Sequence, residues 1–374
     1  MNEAVSTYRE LAAAEPESYL VILAWGLNGQ SNILGNLKRN EEALAAIEEA
    51  VGIYRTEGLQ PALGGSLNGQ SNRLARLGRH EEALAAIEEA EGIYRDIAAE
   101  YPDGLLPDLA GILNNKSFRL ASLGRNEEAL AAIEEAAGIY RDLALAQPDA
   151  YLPGAASAFE NLSNRLTALG RREEALAAVE LSAVTYRDLA AVHPDAYLSE
   201  TAHALIRQSD ILEKLERYEE ALPFIEEAVR IYRELAVAHP ETFLGPLAMS
   251  LNHKAVYFAE RHQEKEALAP LEEAVAIRRD LVAASPEAFL PDLAASLNDY
   301  GICLTSLGRR KAGLAASEES VGIYRKLEAE RPGLFRQDLV AALSNHARIL
   351  GILGKKVRAR AAWAEASKIM MAGK

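Results

Sequence analysis

The chain has 374 residues, with 40 basic and 55 acidic side chains and a formal net charge of −15. This acidic balance argues against a nucleic-acid surface, which would need clustered lysine and arginine. A single cysteine, Cys303, excludes an internal disulfide and suits a reducing compartment, so we expect a cytoplasmic protein. No signal peptide opens the chain, and the longest apolar run, 19–25, is far shorter than the roughly 20 residues of a membrane span.

A motif recurs along the chain at nearly constant spacing. The sequence "EEAL" and its degenerate copies end in a leucine slot at Leu44, Leu84, Leu130, Leu176, Leu222, Leu268 and Leu314, with Arg360 in the last copy. The first interval between these slots is 40 residues, and the six that follow are 46. A fixed period in this range predicts stacked repeat units instead of separate globular domains.

Each repeat reads as two helices, A and B, and the copy at 148–192 shows the pattern. Residues 148–152 read as a turn, and Pro153 suits the first position of helix A because its missing N–H costs nothing there. Apolar residues then follow helical spacing up to Gly170, which can end the helix in the left-handed region. The acidic pair 173–174 begins helix B, near the positive end of the helix dipole. No β-strand pattern appears, so the sequence predicts an all-α protein.

We expect one solenoid over residues 1–374 that opens with a half-repeat at 1–14. The predicted helix pairs span 16–58, 61–100, 102–146, 148–192, 194–238, 240–284, 286–330 and 332–371. The first interval is short because Gly58 and Pro61 should end one helix early and start the next early. A local change in pitch is expected there.

The order of small and large residues resembles the tetratricopeptide repeat. One copy supplies the family's slots in order, at Leu67, Ser71, Leu74, Gly78, Ala83, Ile87 and Ala90. The long period is similar to that of the kinesin-light-chain branch, and similar arrays occur in bacterial, especially actinobacterial, proteins. The resemblance implies a right-handed α-solenoid superhelix of antiparallel helix pairs. It also implies a protein that binds peptides or proteins in a concave groove lined by helices A.

Asparagine recurs at two positions of helix A that lie four residues apart, where the family contacts its ligands. The first position holds Asn28, Asn68, Asn114, Asn252 and Asn298, and the second holds Asn32, Asn72 and Asn164. Asparagine is only a middling helix former, and its amide can bond an extended peptide backbone whatever the peptide's side chains. These residues therefore predict a peptide-binding ladder. The alternatives are a solvated polar wall or asparagines that bond between neighbouring helices.

The ladder is interrupted in the middle repeats by Glu160 and Ile206 at the first position and by Asp210 and Val256 at the second. One turn earlier on the same face lie three large side chains, which complete the predicted site as a specificity pocket: Trp25, His203 and Met249. A neighbouring position that is usually leucine in the family is polar here, at Gln30, Gln70, Lys116, Gln208 and Lys254. A buried polar side chain needs a partner, and the sequence does not name it.

The remaining motifs favour structural roles. Recurrent "YR" pairs are expected to pack between repeats, with the arginine reaching solvent, and the "EE" pairs mark helix starts. Cys303 is expected to be a small apolar filler. Neither a nucleophile–base set nor a metal-ligand spacing stands out, so we predict no enzyme activity, no metal and no cofactor.

The leading functional hypothesis is a non-catalytic scaffold that binds a peptide or an extended partner segment. One alternative is a regulatory or sensor arm of a larger signalling protein, linked to an ATPase or a protease. Another is a self-assembling scaffold that associates through its basic C-terminal helix, where Lys355, Lys356, Arg358 and Arg360 replace the usual acidic start. Neither nucleic acid nor membrane is expected as a partner.

Overall fold

The computed structural model describes residues 2–371, apart from the side chains of Asn2, Pro102 and Asp103. Over this range the chain forms seventeen helices and no strand, so the predicted all-α fold is confirmed. The helices belong to two compact units, Met1–Val192 and His193–Lys374. None of the described helices is both long and apolar enough to span a membrane.

The first unit contains nine helices, in which even numbers correspond to helices A of the repeats and odd numbers to helices B. They are α1 (Asn2–Ala14), α2 (Pro16–Asn36), α3 (Asn40–Thr56), α4 (Gln60–Arg76), α5 (His80–Glu100), α6 (Pro102–Ser122), α7 (Asn126–Ala146), α8 (Pro148–Ala168) and α9 (Arg172–Val192).

The second unit contains eight helices with the same alternation. They are α10 (Pro194–Lys214), α11 (Tyr218–Ala238), α12 (Pro240–Glu260), α13 (Glu264–Ala284), α14 (Pro286–Ser306), α15 (Arg310–Glu330), α16 (Arg336–Ile352) and α17 (Lys356–Met371).

Every turn from a helix A to its helix B contains one residue with positive φ. Glycine usually supplies it, as predicted for Gly170, whose φ is 74°. Lys38, Glu216 and His262 adopt the same conformation at φ values of 61°, 61° and 57°. The turn is only a few residues long, so helices A and B run antiparallel.

In the copy at 148–192, helix A starts earlier than predicted. The prediction that Pro153 occupies the first helical position was wrong, because α8 begins at Pro148 and Pro153 lies inside the helix. Both prolines fit their places: Pro148 lacks an N–H that would be unpaired anyway, and Pro153 removes only one bond close to the helix start.

The shortened first interval removes one turn from each of two helices. α3 and α4 have 17 residues each, whereas α2 and α5 have 21. Gly58 has a φ of 70° and separates the two shortened helices, as its position predicted.

Each helix A packs closely on its helix B through two small residues, which are a serine and an alanine in most repeats. Ser71 is fully buried, and its hydroxyl donates to the backbone oxygen of Ala83 at 2.7 Å. The same bond recurs between Ser31 and Ala43 at 2.8 Å. Small residues at these two slots let the backbones approach, which is why the family pattern keeps them small.

Candidate functional site

The solvent-facing side of the A helices, here called the A-helix face, carries a row of residues at one register position. In the first unit the row contains Trp25, Gly65, Gly111 and Ser157, and in the second it contains His203, Met249, Ala295 and Ala341. Trp25 is 73% exposed and Met249 is 37% exposed. The three large side chains predicted one turn before the asparagines therefore stand among small neighbours on this face.

The asparagines of the first unit join consecutive A helices. Asn115 Nδ2 donates to Asn68 Oδ1 at 2.9 Å, and Asn161 Nδ2 donates to Asn114 Oδ1 at 2.9 Å. The two residues of each pair lie 47 positions apart. Asn28 Nδ2, in the shortened repeat, donates instead to Ser66 Oγ at 2.9 Å. The sequence-based alternative in which asparagines bond between neighbouring helices is thus present in the structure.

At the second position, the asparagines accept hydrogen bonds from arginines that the sequence analysis overlooked. Arg73 Nη2 donates to Asn32 Oδ1 at 2.8 Å, and Arg119 Nη2 donates to Asn72 Oδ1. Burial lowers the pKa of both guanidinium groups. The third arginine of this series, Arg165, recurs after the same interval of 46 residues that separates Arg73 from Arg119, and that recurrence was the available signal.

Arg165 faces a phenylalanine where the other two arginines meet an asparagine. Its guanidinium carbon lies 5.4 Å from the centre of the Phe118 ring. Its Nε and the neighbouring Ser117 Oγ are buried and have no hydrogen-bond partner. Asn164 is half-buried beside it and makes a polar contact of its own.

In the second unit the ladder includes a carboxylate. Asn252 Nδ2 donates to Asp299 Oδ2 at 3.1 Å, and Asn345 Nδ2 donates to Asn298 Oδ1 at 3.2 Å. Asp299 therefore occupies the register position that Asn115, Asn161 and Asn345 occupy elsewhere. Burial raises the pKa of Asp299.

The step from α10 to α12 replaces the amide bond with a titratable pair. His253 Nδ1 lies 3.2 Å from Asp210 Oδ1, and this hydrogen bond raises the pKa of His253 against the effect of burial. Burial also raises the pKa of nearby Glu213 to about 7. Arg261 stacks on Tyr257 close to this group, 3.7 Å from the ring centre. His203, the member of the exposed row on α10, is solvent-exposed.

The two lysines at the usually apolar slot pair with glutamates on helices B. Lys116 Nζ lies 2.6 Å from Glu91 Oε2, and Lys254 Nζ lies 2.8 Å from Glu226 Oε1. Gln208 is buried at the equivalent position. The two lysines link an A helix to the preceding B helix, which explains how a charge is accommodated there.

An apolar cavity opens where the short helices of the first unit expose α2. Its volume is about 450 Å³, and its lining residues are Val21, Ile22, Trp25, Tyr54, Leu59, Pro61 and Ala62. Leu59, Pro61 and Ala62 of this lining lie at the start of the shortened α4. The six missing residues thus place an exposed tryptophan beside an open apolar surface.

Tyrosines of the "YR" pairs pack between helices, as predicted. Tyr94 is buried and its hydroxyl donates to the backbone oxygen of Pro61 at 3.2 Å. The arginines form ion pairs between successive B helices, for example Arg95 with Glu135 at 2.7 Å and Arg325 with Glu365 at 2.6 Å. Such exposed pairs contribute little each.

Two further features of the described part of the chain concern metal ligands and the single cysteine. Histidine, cysteine, aspartate and glutamate form no group there that could hold a metal ion. Cys303 is buried as predicted, and burial raises the pKa of its thiol to about 11, so it is not a thiolate at neutral pH.

These features define an all-α repeat protein built from antiparallel helix pairs. Two tetratricopeptide repeat models match residues 109–144 and 247–286 and residues 202–235. A model described as anaphase-promoting complex subunit 5 matches residues 30–63 and 71–100. Residues 109–144, 202–235 and 247–286 thus match the tetratricopeptide repeat that the residue pattern predicted. Among curated proteins, none matches the sequence significantly.

Solved structures show the same fold at low sequence identity. The apo quorum sensor NprR from B. thuringiensis has a TM-score of 0.60 at 14% identity, over 99% of this chain and 94% of NprR. Aspartyl phosphate phosphatase F from Bacillus subtilis has a TM-score of 0.58 at 12% identity, over 99% and 89%. BtubC (BKLC) from P. vanneervenii has a TM-score of 0.55 at 17% identity, over 68% and 94%. Tetratricopeptide-like folds are protein-interaction scaffolds.

Proposed function

We propose that this protein is a non-catalytic interaction scaffold that binds an extended segment of a partner protein along the A-helix face. The observation that carries the proposal is the position of the ladder amides. Asn68, Asn114, Asn252 and Asn298 are all half-buried, directly beside the exposed row. Within either unit, an extended segment on the A-helix face would touch both the ladder amides and the exposed row of that unit.

The bonds between repeats support this role because they fix the amides in place. An amide has two N–H donors and an oxygen with two lone pairs. The bond from Asn115 to Asn68 uses one lone pair of Asn68 and one N–H of Asn115. Capacity remains for a backbone N–H or C=O of a bound segment. An amide that is already oriented loses less conformational entropy on binding, so the same bond contributes more to affinity.

Exposed large side chains on this face would select the segment. Trp25 stands beside the apolar cavity of the first unit, and Met249 stands beside Asn252 in the second. Exposed aromatic side chains next to apolar surface are the kind of residue that dominates binding energy at interfaces.

A random-peptide phage library selected on the full-length protein tests this proposal. Trp25→Ala should weaken the binding of peptides that select the first unit about tenfold or more, and Met249→Ala should do the same for peptides that select the second unit. Matched controls are Leu145→Ala and Val237→Ala, which remove similarly apolar side chains that are 81% and 84% exposed on helices B. Equal affinity for the face variants and the helix-B controls would count against the A-helix face.

A further inference from the structure

A second cavity lies between two A helices and the B helix beneath them. Its volume is about 280 Å³, and residues of α12, α13 and α14 line it. Ala255, Val256, Leu271 and Ile302 supply an apolar floor. Val256 occupies the second ladder position, one turn after Asn252, and it is exposed. The cavity therefore opens on the A-helix face.

Three carboxylates join the apolar lining, and none of the ten lining residues is basic. Glu260 is exposed at the end of α12, Glu264 begins α13, and Asp299 lies on α14. The thiol of Cys303 donates to the backbone oxygen of Glu264 at 3.3 Å and stays neutral because burial raises its pKa to about 11. The cavity thus combines a negative potential with space for methylene groups.

Asp299 carries a charge that its structural bond does not need. It accepts a hydrogen bond from Asn252, whereas Asn115 and Asn345, at the same register position, donate the corresponding bond to Asn68 and Asn298. An amide at position 299 would keep the bond between α12 and α14. The negative charge at this position is therefore available for another role.

The buried Arg278 does not compensate the negative charge of Asp299. Its guanidinium donates to the backbone oxygen of Asp292 at 2.8 Å and to Ser296 Oγ. Its attraction lowers the pKa of Asp299, as do hydrogen bonds from Asn252 and Asn298, but the effect of burial is larger and the pKa remains raised. A cation placed in the cavity itself would offset the effect of burial, because a nearby positive charge favours the ionised carboxylate.

We infer that the cavity receives a long basic side chain, lysine or arginine, from the bound partner segment. Its methylene groups lie against Ala255, Val256 and Ile302, and its cationic end reaches Asp299 and Glu260. This inference rests on the proposed function and adds to it a required chemical feature of the partner. It also gives the cavity, with its three carboxylates, a way to reject segments that carry an acidic residue at this point.

The test uses peptides selected on the full-length protein and resynthesised with each lysine or arginine replaced by norleucine. Norleucine keeps the methylene groups and removes the charge. We expect one shared basic position at which this change weakens binding about tenfold, since it removes one partly buried ion pair. The effect should shrink to about twofold in the Asp299→Asn and Glu260→Gln variants, because their pairing is already lost.

Glu287→Gln is the matched control, because it removes one charge from the exposed first turn of α14, outside the cavity. It should leave the tenfold norleucine effect unchanged. Glu260→Gln concerns an exposed side chain, so it remains informative if Asp299→Asn perturbs folding. Peptides that bind equally well with norleucine, or a norleucine effect that is the same in Glu260→Gln as in Glu287→Gln, would overturn the basic-side-chain inference alone. Failure to select any peptide would overturn the proposed function and this inference with it.

Discussion

Replacing Gly313 with alanine is expected to lower the free energy of unfolding by about 2 kcal/mol, the cost of overfilling a tightly packed contact. A Cβ at this position would overlap Thr305 Oγ1 and lie 2.8 Å from the backbone oxygen of Gly301. Both glycines stand at the slots that Ser71 and Ala83 occupy in another repeat, so at these slots the backbones of α14 and α15 approach closely. Backbone atoms on both sides leave little room for adjustment.

Gly322→Ala provides the control within the same helix. No atom lies within 4 Å of a Cβ added there, and the residue is exposed. Alanine should therefore raise stability by about 0.5–1 kcal/mol through helix propensity alone. Urea unfolding followed by circular dichroism, with hydrogen exchange to locate the effect in α14 and α15, measures both variants. If Gly313→Ala proved as stable as Gly322→Ala, the close approach of the two helices would be wrong.

The second unit is expected to lose about 1 kcal/mol of stability as pH rises from about 5 to about 8, once solvent screening is allowed for. The pKa of Glu213 is raised to about 7 from an ordinary 4.5, mainly by burial, with Arg261 opposing and Asp210 and Glu260 adding to the rise. The pKa of His253 is also raised, chiefly by its hydrogen bond to Asp210.

Both shifts act in the same direction because each group binds its proton more tightly in the folded state than in the unfolded state. For Glu213 the stability present at low pH is lost between about 4.5 and about 7. For His253 the contribution is present below its unfolded pKa, about 6.5, and disappears as pH rises through the higher folded value. Arg207, which lowers the pKa of His253, limits the second effect.

Two substitutions separate these contributions. Glu213→Gln should flatten the pH dependence below neutrality and stabilise the protein near pH 8, while His253→Asn should flatten it above neutrality. His239→Asn changes an exposed histidine on the turn before α12 and should leave the profile unchanged. Urea unfolding across this pH range provides the measurement. A stability that rises with pH in the unmodified protein would contradict the assignment of both groups.

Much of the helical architecture follows from the sequence because local residues determine it. Gly170 marks a turn that requires a residue with positive φ. The six residues missing around Gly58 shorten the two helices that flank it. The start of α8 was misplaced because both Pro148 and Pro153 are compatible with an early helical position. Local rules alone do not choose between them.

The partners of the ladder could not be assigned from helix A alone, since they depend on how consecutive repeats stack. The bond from Asn115 to Asn68 spans 47 residues, one more than the repeat period, so its register appears only once the helices are packed. The recurrence of Arg73, Arg119 and Arg165 at a constant interval was a readable signal. The cavity beside Asp299 had no such signal, because side-chain volumes on three helices define it.

The central claim is that fixed asparagines and an exposed row make the A helices the surface that binds a partner segment. Hydrogen–deuterium exchange of the full-length protein, with and without a selected peptide, tests it most directly. We predict slower exchange at consecutive A helices, in α4, α6 and α8 around Asn68 and Asn114 or in α12 and α14 around Asn252 and Asn298. Protection confined to helices B, such as α5, α7 and α13, would contradict it.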